Sequence, residues 1–129
     1  MNNPIDLKYT TNDEWIRVTG ASGECGITDY AQEQLSDIVF VEILVAVGDA
    51  VKKGDSIATL ESVKAAADVY APASGTVTAV NEGLPDAPET VNSDPYGSAW
   101  MVKITLSDPS ELPGLMDAAG YEAFLATKA

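Results

Sequence analysis

The chain has 129 residues, with 7 Lys and Arg against 20 Asp and Glu, no His and one Cys, for a formal charge of −13. Its length suits one domain spanning residues 1–129, because two would each approach the size at which a core becomes marginal. The charge argues against nucleic acid, which needs clustered Lys and Arg, and disfavours an anionic membrane surface. Without histidine there is no Ser-His-Asp triad, no Cys-His pair and no His-ligated metal. Cys25 alone makes neither an internal disulfide nor a Cys-rich zinc site, so no metal is expected and a reducing, cytoplasm-like compartment is. Met1 to Asp6 lack the basic start and apolar stretch of a signal peptide, and no run approaches the ~18 apolar residues of a membrane span. The composition leans away from a self-sufficient enzyme and towards a binding or carrier module.

Short strands separated by turn residues dominate the first hundred positions. Glu14 to Thr19 reads as a strand closed by Gly20 and Ser22-Gly23, and Gly26-Ile27 begins the return. Thr28 is placed to cap a short helix through Leu35, with Asp29 in its first turn. Ile38 to Val45 is a nearly unbroken apolar and β-branched run, expected to be buried on much of both faces. Turns at Gly48-Asp49 and Gly54-Asp55 lead to strands at Ser56 to Glu61 and Asp68 to Ala71. Pro72 and Gly75 bend the chain into Thr76 to Val80, which alternates with period two. Residues 81–98 are rich in Asn, Asp, Pro and Gly and read as a long loop, functional or held by its own packing. Trp100 to Leu106 reads as a half-buried strand.

The C-terminal segment, about residues 108–128, changes to helical signals. Asp108-Pro109-Ser110-Glu111 is a helix start, and Pro113-Gly114 should end that helix after about one turn. A second start at Asp117 puts Tyr121, Phe124 and Leu125 on one face, with Lys128 near the end, where a cation suits the helix dipole. Trp15, Trp100, Phe40 and Tyr121 are expected in the core, and Cys25 is expected to be inert. Asp29, Asn92, Ser93 and Asp94 read as turn and cap formers.

The stretch that carries chemistry is Glu61 to Gly75. Two strand-like segments, about residues 56–72, form a hairpin with Lys64 at the centre of its connection. A hairpin tip exposes its central side chains, and in a chain with so few cations that lysine stands out. Taken alone, it reads more readily as a solubilising tip lysine than as a modified one.

Glu61-Ser62-Val63-Lys64-Ala65-Ala66, with Asp68-Val69-Tyr70-Ala71-Pro72 and Ser74-Gly75, resembles the lipoyl-lysine site of the glycine cleavage system H-protein family. Gly26-Ile27-Thr28-Asp29-Tyr30-Ala31-Gln32, Val39-Phe40-Val41-Glu42 and Val91-Asn92-Ser93-Asp94-Pro95-Tyr96-Gly97 with Trp100 resemble further family motifs in the family's order. The likeness runs from Lys8-Tyr9 to Tyr121. It implies a mainly β fold, the lipoyl-domain hybrid of barrel and sandwich built from two antiparallel sheets. It implies lipoic acid in amide linkage on Lys64, and a shuttle that is not itself a catalyst. The implied partners are a pyridoxal-phosphate glycine decarboxylase (P protein), a tetrahydrofolate-dependent aminomethyltransferase (T protein), dihydrolipoamide dehydrogenase (L protein), and a lipoate ligase or lipoyl transferase. A monomer is expected. The family is thought to shelter the loaded arm against its own surface, and the matching positions here are Glu14 and Asp68, with Asn12 beside them.

The residues agree with a carrier. Small Ala65, Ala66 and Ala67 leave room around the lysine, and the visiting enzymes would bring the acid–base groups that this chain lacks. Part of the acidic excess would serve as docking surface for them. Asp13 stands where most relatives carry a His, so no imidazole role applies there. Ala67 stands where Ser or Thr is common, and Pro113-Gly114 is unusual in the C-terminal helical region. Biotin carriers usually have Met on both sides of the lysine, whereas Val63 and Ala65 flank it here. The alternatives are an H-like lipoyl carrier of sulfur metabolism and an unmodified interaction scaffold.

Overall fold

The computed structural model describes residues 2–128, so the expected unit of residues 1–129 runs one residue beyond the described part at each end. Strands β1 (Lys8–Tyr9), β2 (Glu14–Thr19) and β3 (Ser22–Ile27) begin the fold. The return from β2 starts at Ser22 and not at Gly26, because Thr19 already pairs with Ser22 across a two-residue turn. Gly20 takes φ 61 in that turn, a conformation glycine adopts without penalty. Helix α1 (Asp29–Leu35) follows, with the Thr28 hydroxyl accepting the Ala31 N–H at 3.2 Å, the cap its sequence announces.

Strand β4 (Ile38–Ile43) corrects the expectation of a strand buried on both faces. Ile38 and Val41 are buried, while Val39, Phe40 and Leu44 are exposed. The reason is position: β4 is the edge of a three-stranded sheet ordered β4-β6-β7, with β6 (Ser56–Ser62) and β7 (Ala66–Tyr70). One face of that sheet packs inward and the other meets water. Phe40, at 44 % exposure, is therefore not a core residue.

The larger sheet has the order β1-β2-β3-β9-β8-β5, with β5 (Ala50–Val51), β8 (Gly75–Val80) and β9 (Val102–Leu106). Every strand pairing in both sheets is antiparallel. Gly75 is required where β8 meets β9, because a Cβ there would collide with the Thr105 carbonyl. Strand β9 begins at Val102, where its pairing with Cys25 and Val80 starts, and Met101 before it is fully buried; Trp100 is half-buried, with Lys103 Nζ 4.6 Å from its ring centroid. The 81–98 segment is not all loop. It contains a 3₁₀ turn at Leu84–Asp86 and a short helix α2 (Thr90–Ser93), anchored by buried Leu84, Val91 and Tyr96.

The two sheets form a sandwich and not a closed barrel. Ile16, Val41, Ile57, Leu60, Val69 and Ile104 fill the space between them. Each such side chain contributes about 1.5–3 kcal/mol by leaving water. A second cluster, Leu7, Tyr9, Trp15, Tyr96, Ala118 and Tyr121, lies beneath helix α3 (Ala118–Ala126). Asp108 accepts the Ser110 N–H at 3.2 Å and starts a 3₁₀ helix over Pro109–Gly114, which carries Pro113 within it before the chain extends at Leu115. Asp117 caps α3 by accepting the Gly120 N–H at 2.7 Å, as expected.

Candidate functional site

The hairpin of β6 and β7 pairs Glu61 with Ala66 and turns through Val63, Lys64 and Ala65. Every backbone N–H from 62 to 65 is used. Ser62 N–H donates to the Ala65 carbonyl at 2.7 Å, and Val63 N–H donates to the Asp37 carbonyl at 3.0 Å. Lys64 and Ala65 N–H groups donate to the Ser62 hydroxyl oxygen at 3.3 and 3.0 Å. The backbone is fixed while the Lys64 side chain stands exposed, and among the described residues it makes no ion pair. Its neighbours Val63, Ala65 and Ala66 are exposed and short. An amine presented in this way fits amide ligation of an activated carboxylic-acid cofactor, because no ion pair of the described residues has to break before it attacks the acyl carbon and expels the activating group.

A cavity of about 140 Å³ lies at the other end of β7, lined by Asn12, Glu14, Lys53, Tyr70 and Met116 among others. The strand carries Tyr70 about 13 Å from Ala66, four residues at about 3.3 Å each. Glu14 is only 2 % exposed. The Thr10 hydroxyl donates to its Oε1 at 2.6 Å, and the Tyr70 N–H donates to its Oε2 at 3.2 Å. Burial pushes the Glu14 carboxyl up to about 7; the two hydrogen bonds oppose this, and the Asp13 charge adds to it. A carboxyl that is buried, held by two donors and set in a cavity wall can accept a cation or a proton donor there.

The structure brings Asn12 and Glu14 to one cavity but leaves Asp68 off its wall. Asp68 is exposed on β7 opposite Thr59 and lines a separate depression with Phe40 and Glu61. Thr10 and Lys53 join the cavity with no signal in the sequence, since strand pairing and turn geometry place them, and Tyr70 joins it from within a family motif that does not single it out. Asp13, in the left-handed region at φ 65, accepts the Tyr121 hydroxyl at 2.9 Å and meets Lys128 Nζ at 3.3 Å. It works as a clamp on α3. Cys25 is buried, and burial pushes its thiol up to about 12, so it stays protonated and inert.

A family model described as glycine cleavage H-protein matches residues 7–128. The chain belongs to the glycine cleavage H-protein family. It is 58 % identical over 120 residues to the glycine cleavage system H protein of Beijerinckia indica subsp. indica, covering 93 % of this chain and 96 % of that one. It is 54 % identical over 125 residues to the H protein of Anaeromyxobacter sp. strain K, covering 97 % of each. The crystal structure of a glycine cleavage system H protein from Mycobacterium marinum superposes with a TM-score of 0.85 at 36 % identity, covering 95 % of this chain and 98 % of that one. H proteins carry lipoic acid on a lysine and serve as the carrier component of the glycine cleavage system, interacting with its other components, and are not catalysts. No described helix of this H-protein family member is long and apolar enough to cross a membrane.

Proposed function

We propose that Lys64 is the residue that carries lipoic acid, and that this chain shuttles an aminomethyl group from the glycine decarboxylase (P protein) to the tetrahydrofolate-dependent aminomethyltransferase (T protein) and electrons to dihydrolipoamide dehydrogenase (L protein). The observation that carries this reading is the fixed hairpin turn with a free lysine amine at its tip. A lipoate ligase or lipoyl transferase makes the amide. When attached, the cofactor supplies a dithiolane that takes up the one-carbon unit. The chain itself supplies presentation: a rigid turn, small flanking side chains and a tether that raises the local concentration of the cofactor in each docked complex.

Glu14 and Asn12 form the shelter for the loaded arm. A cationic amine reaching the cavity meets the Glu14 carboxylate away from bulk water, where a charge-assisted contact is worth about 1.5–3 kcal/mol. Asp68, exposed on the path between Lys64 and the cavity, contributes at most a screened attraction to the incoming amine. The described fold acts as one monomeric carrier domain, and its single, buried Cys supports a reducing, cytoplasmic setting. The test is reconstitution: glycine decarboxylation with the P, T and L proteins should proceed with the lipoylated chain and cease with Lys64→Arg, which keeps the charge but not the ligatable amine.

A further inference from the structure

Asn92 lies on α2, 28 positions past Lys64 in the chain, yet its side chain reaches the segment on which the lipoyl hairpin hangs. Asn92 Oδ1 accepts the Ile38 N–H at 2.9 Å. Its Nδ2 donates to the Ser36 carbonyl at 2.9 Å and to Gln32 Oε1 at 3.0 Å. Between these anchored neighbours sits Asp37, whose carbonyl accepts the Val63 N–H at 3.0 Å. Val63 is the residue before Lys64. One amide side chain thus ties the end of α1, the start of β4 and, through a single backbone step, the turn that carries the lysine.

The segment needs tying. Ser36 takes φ 66 and ψ −156, a conformation that belongs almost entirely to glycine and persists only where the surroundings over-determine it. This turn swings the chain out of α1 and aims the Asp37 carbonyl at the hairpin. The Asn92 bonds on either side of Asp37 supply the restraint. An aspartate could not replace it, because a carboxylate has no N–H for the Ser36 carbonyl and Gln32 Oε1.

We propose that Asn92 is a positioning residue for Lys64: it holds the Ser36–Ile38 turn so that the Asp37 carbonyl fixes the hairpin tip for the enzyme that attaches the cofactor. The proposal rests on Lys64 as the modified residue. Its test reads two quantities on the full chain, amide hydrogen exchange at Val63 and kcat/KM for lipoylation by a lipoate ligase. Asn92→Ala should speed Val63 exchange about ten-fold or more, the loss of roughly one hydrogen bond's worth of protection. It should also lower kcat/KM by about ten-fold, as misplacement at a distance does. Amides of β2 and β3 should keep their protection. Asn92→Gln, one methylene longer, carries the same expectation if Asn92→Ala does not fold.

Glu111→Ala is the control for general destabilisation, because it removes two side-chain hydrogen bonds to Ser74 away from the tip. It should lower Tm and leave both readings unchanged. Ser36→Gly added to Asn92→Ala should restore part of both, since glycine takes the turn conformation without penalty. Wild-type exchange and wild-type lipoylation in the Asn92 variants overturn the proposal, as do equal effects from Glu111→Ala or no rescue by Ser36→Gly. Wild-type protein that takes no lipoate on Lys64 overturns the Lys64 reading instead, and Val63 exchange still decides whether the tether exists.

Discussion

Glu14 Oε2 accepts the backbone N–H of Tyr70 at 3.2 Å, so a carboxyl on the larger sheet is joined to the last residue of the lipoyl hairpin in the smaller one. The bond ties the base of the hairpin to the cavity wall. The burial of that carboxyl gives the fold a pH dependence, which the bond moderates. Burial raises the Glu14 carboxyl from its ordinary 4.5 to about 7. The folded state therefore holds a proton that the unfolded chain releases. Glu14's contribution to stability is complete below about pH 4.5 and is lost as pH rises through about 7, by roughly 3 kcal/mol in all. Thermal unfolding between pH 5 and 8 should show Tm falling with pH, and Glu14→Gln should flatten that slope. A Glu14→Gln protein with the wild-type slope would place the titrating group elsewhere.

The same carboxyl should govern how long the aminomethyl cargo survives. Glu14→Ala is expected to leave lipoylation intact and to speed loss of the cargo from purified loaded protein about ten-fold or more, because ten-fold corresponds to about 1.4 kcal/mol, within reach of one sheltered charge-assisted contact. Formaldehyde release over time reads this directly. Release at the wild-type rate would mean that the cavity does not shelter the arm.

Tyr121 packs flat on Tyr9 with ring centroids 4.6 Å apart, and its hydroxyl lies 2.7 Å from Thr28 Oγ1 while donating to Asp13. Tyr121→Phe keeps the stack but leaves the O–H of the fully buried Thr28 without its acceptor, while its oxygen still caps α1, and should cost about 1–3 kcal/mol in chemical denaturation with lipoylation unchanged. Lys128→Ala breaks a partly exposed pair with Asp13 and the ammonium's contacts with the Tyr30 and Phe124 rings, and should cost about 1 kcal/mol. A larger loss from Lys128→Ala than from Tyr121→Phe would reverse the roles assigned to them.

The hairpin should be stiff and the arm alone mobile. With the four N–H groups of residues 62–65 all bonded, backbone order parameters over residues 60–68 should stay above about 0.6, the level below which a backbone counts as flexible. Lower values there by NMR relaxation would mean that the tip moves with its cargo.

The sequence made local features legible where one residue's chemistry decides the structure. Thr28 and Asp117 cap their helices as read, because a side-chain oxygen one turn from a free N–H needs no tertiary help. The hairpin around Lys64 is legible from its two strand-like segments, although the Asp37 carbonyl that holds its tip is not. What stayed hidden depends on neighbours distant in the chain. The apolar run at Ile38 carries no sign that β4 is an edge strand with one face to water, so Phe40 reads as core although it is exposed. The polar composition of 81–98 concealed α2, which exists because Leu84, Val91 and Tyr96 bury themselves against the rest of the fold. In the site, it is the family resemblance that points to Lys64, Glu14 and Asn12. The burial of Glu14 and the Thr10 and Tyr70 bonds around it are not legible, since they arise from a turn and a sheet-to-sheet contact. The resemblance groups Asp68 with Glu14, but Asp68 lies two residues along β7 from Tyr70, exposed and off the cavity wall.

The central claim, that the molecule is built to present one lysine, is tested most directly by peptide mapping with mass spectrometry on protein from cells able to attach lipoate. The account predicts a single lipoyl group, on the peptide containing Lys64, and unmodified protein from Lys64→Arg. Lipoate on any of the other lysines, or wild-type protein that remains bare in a competent host, would contradict it.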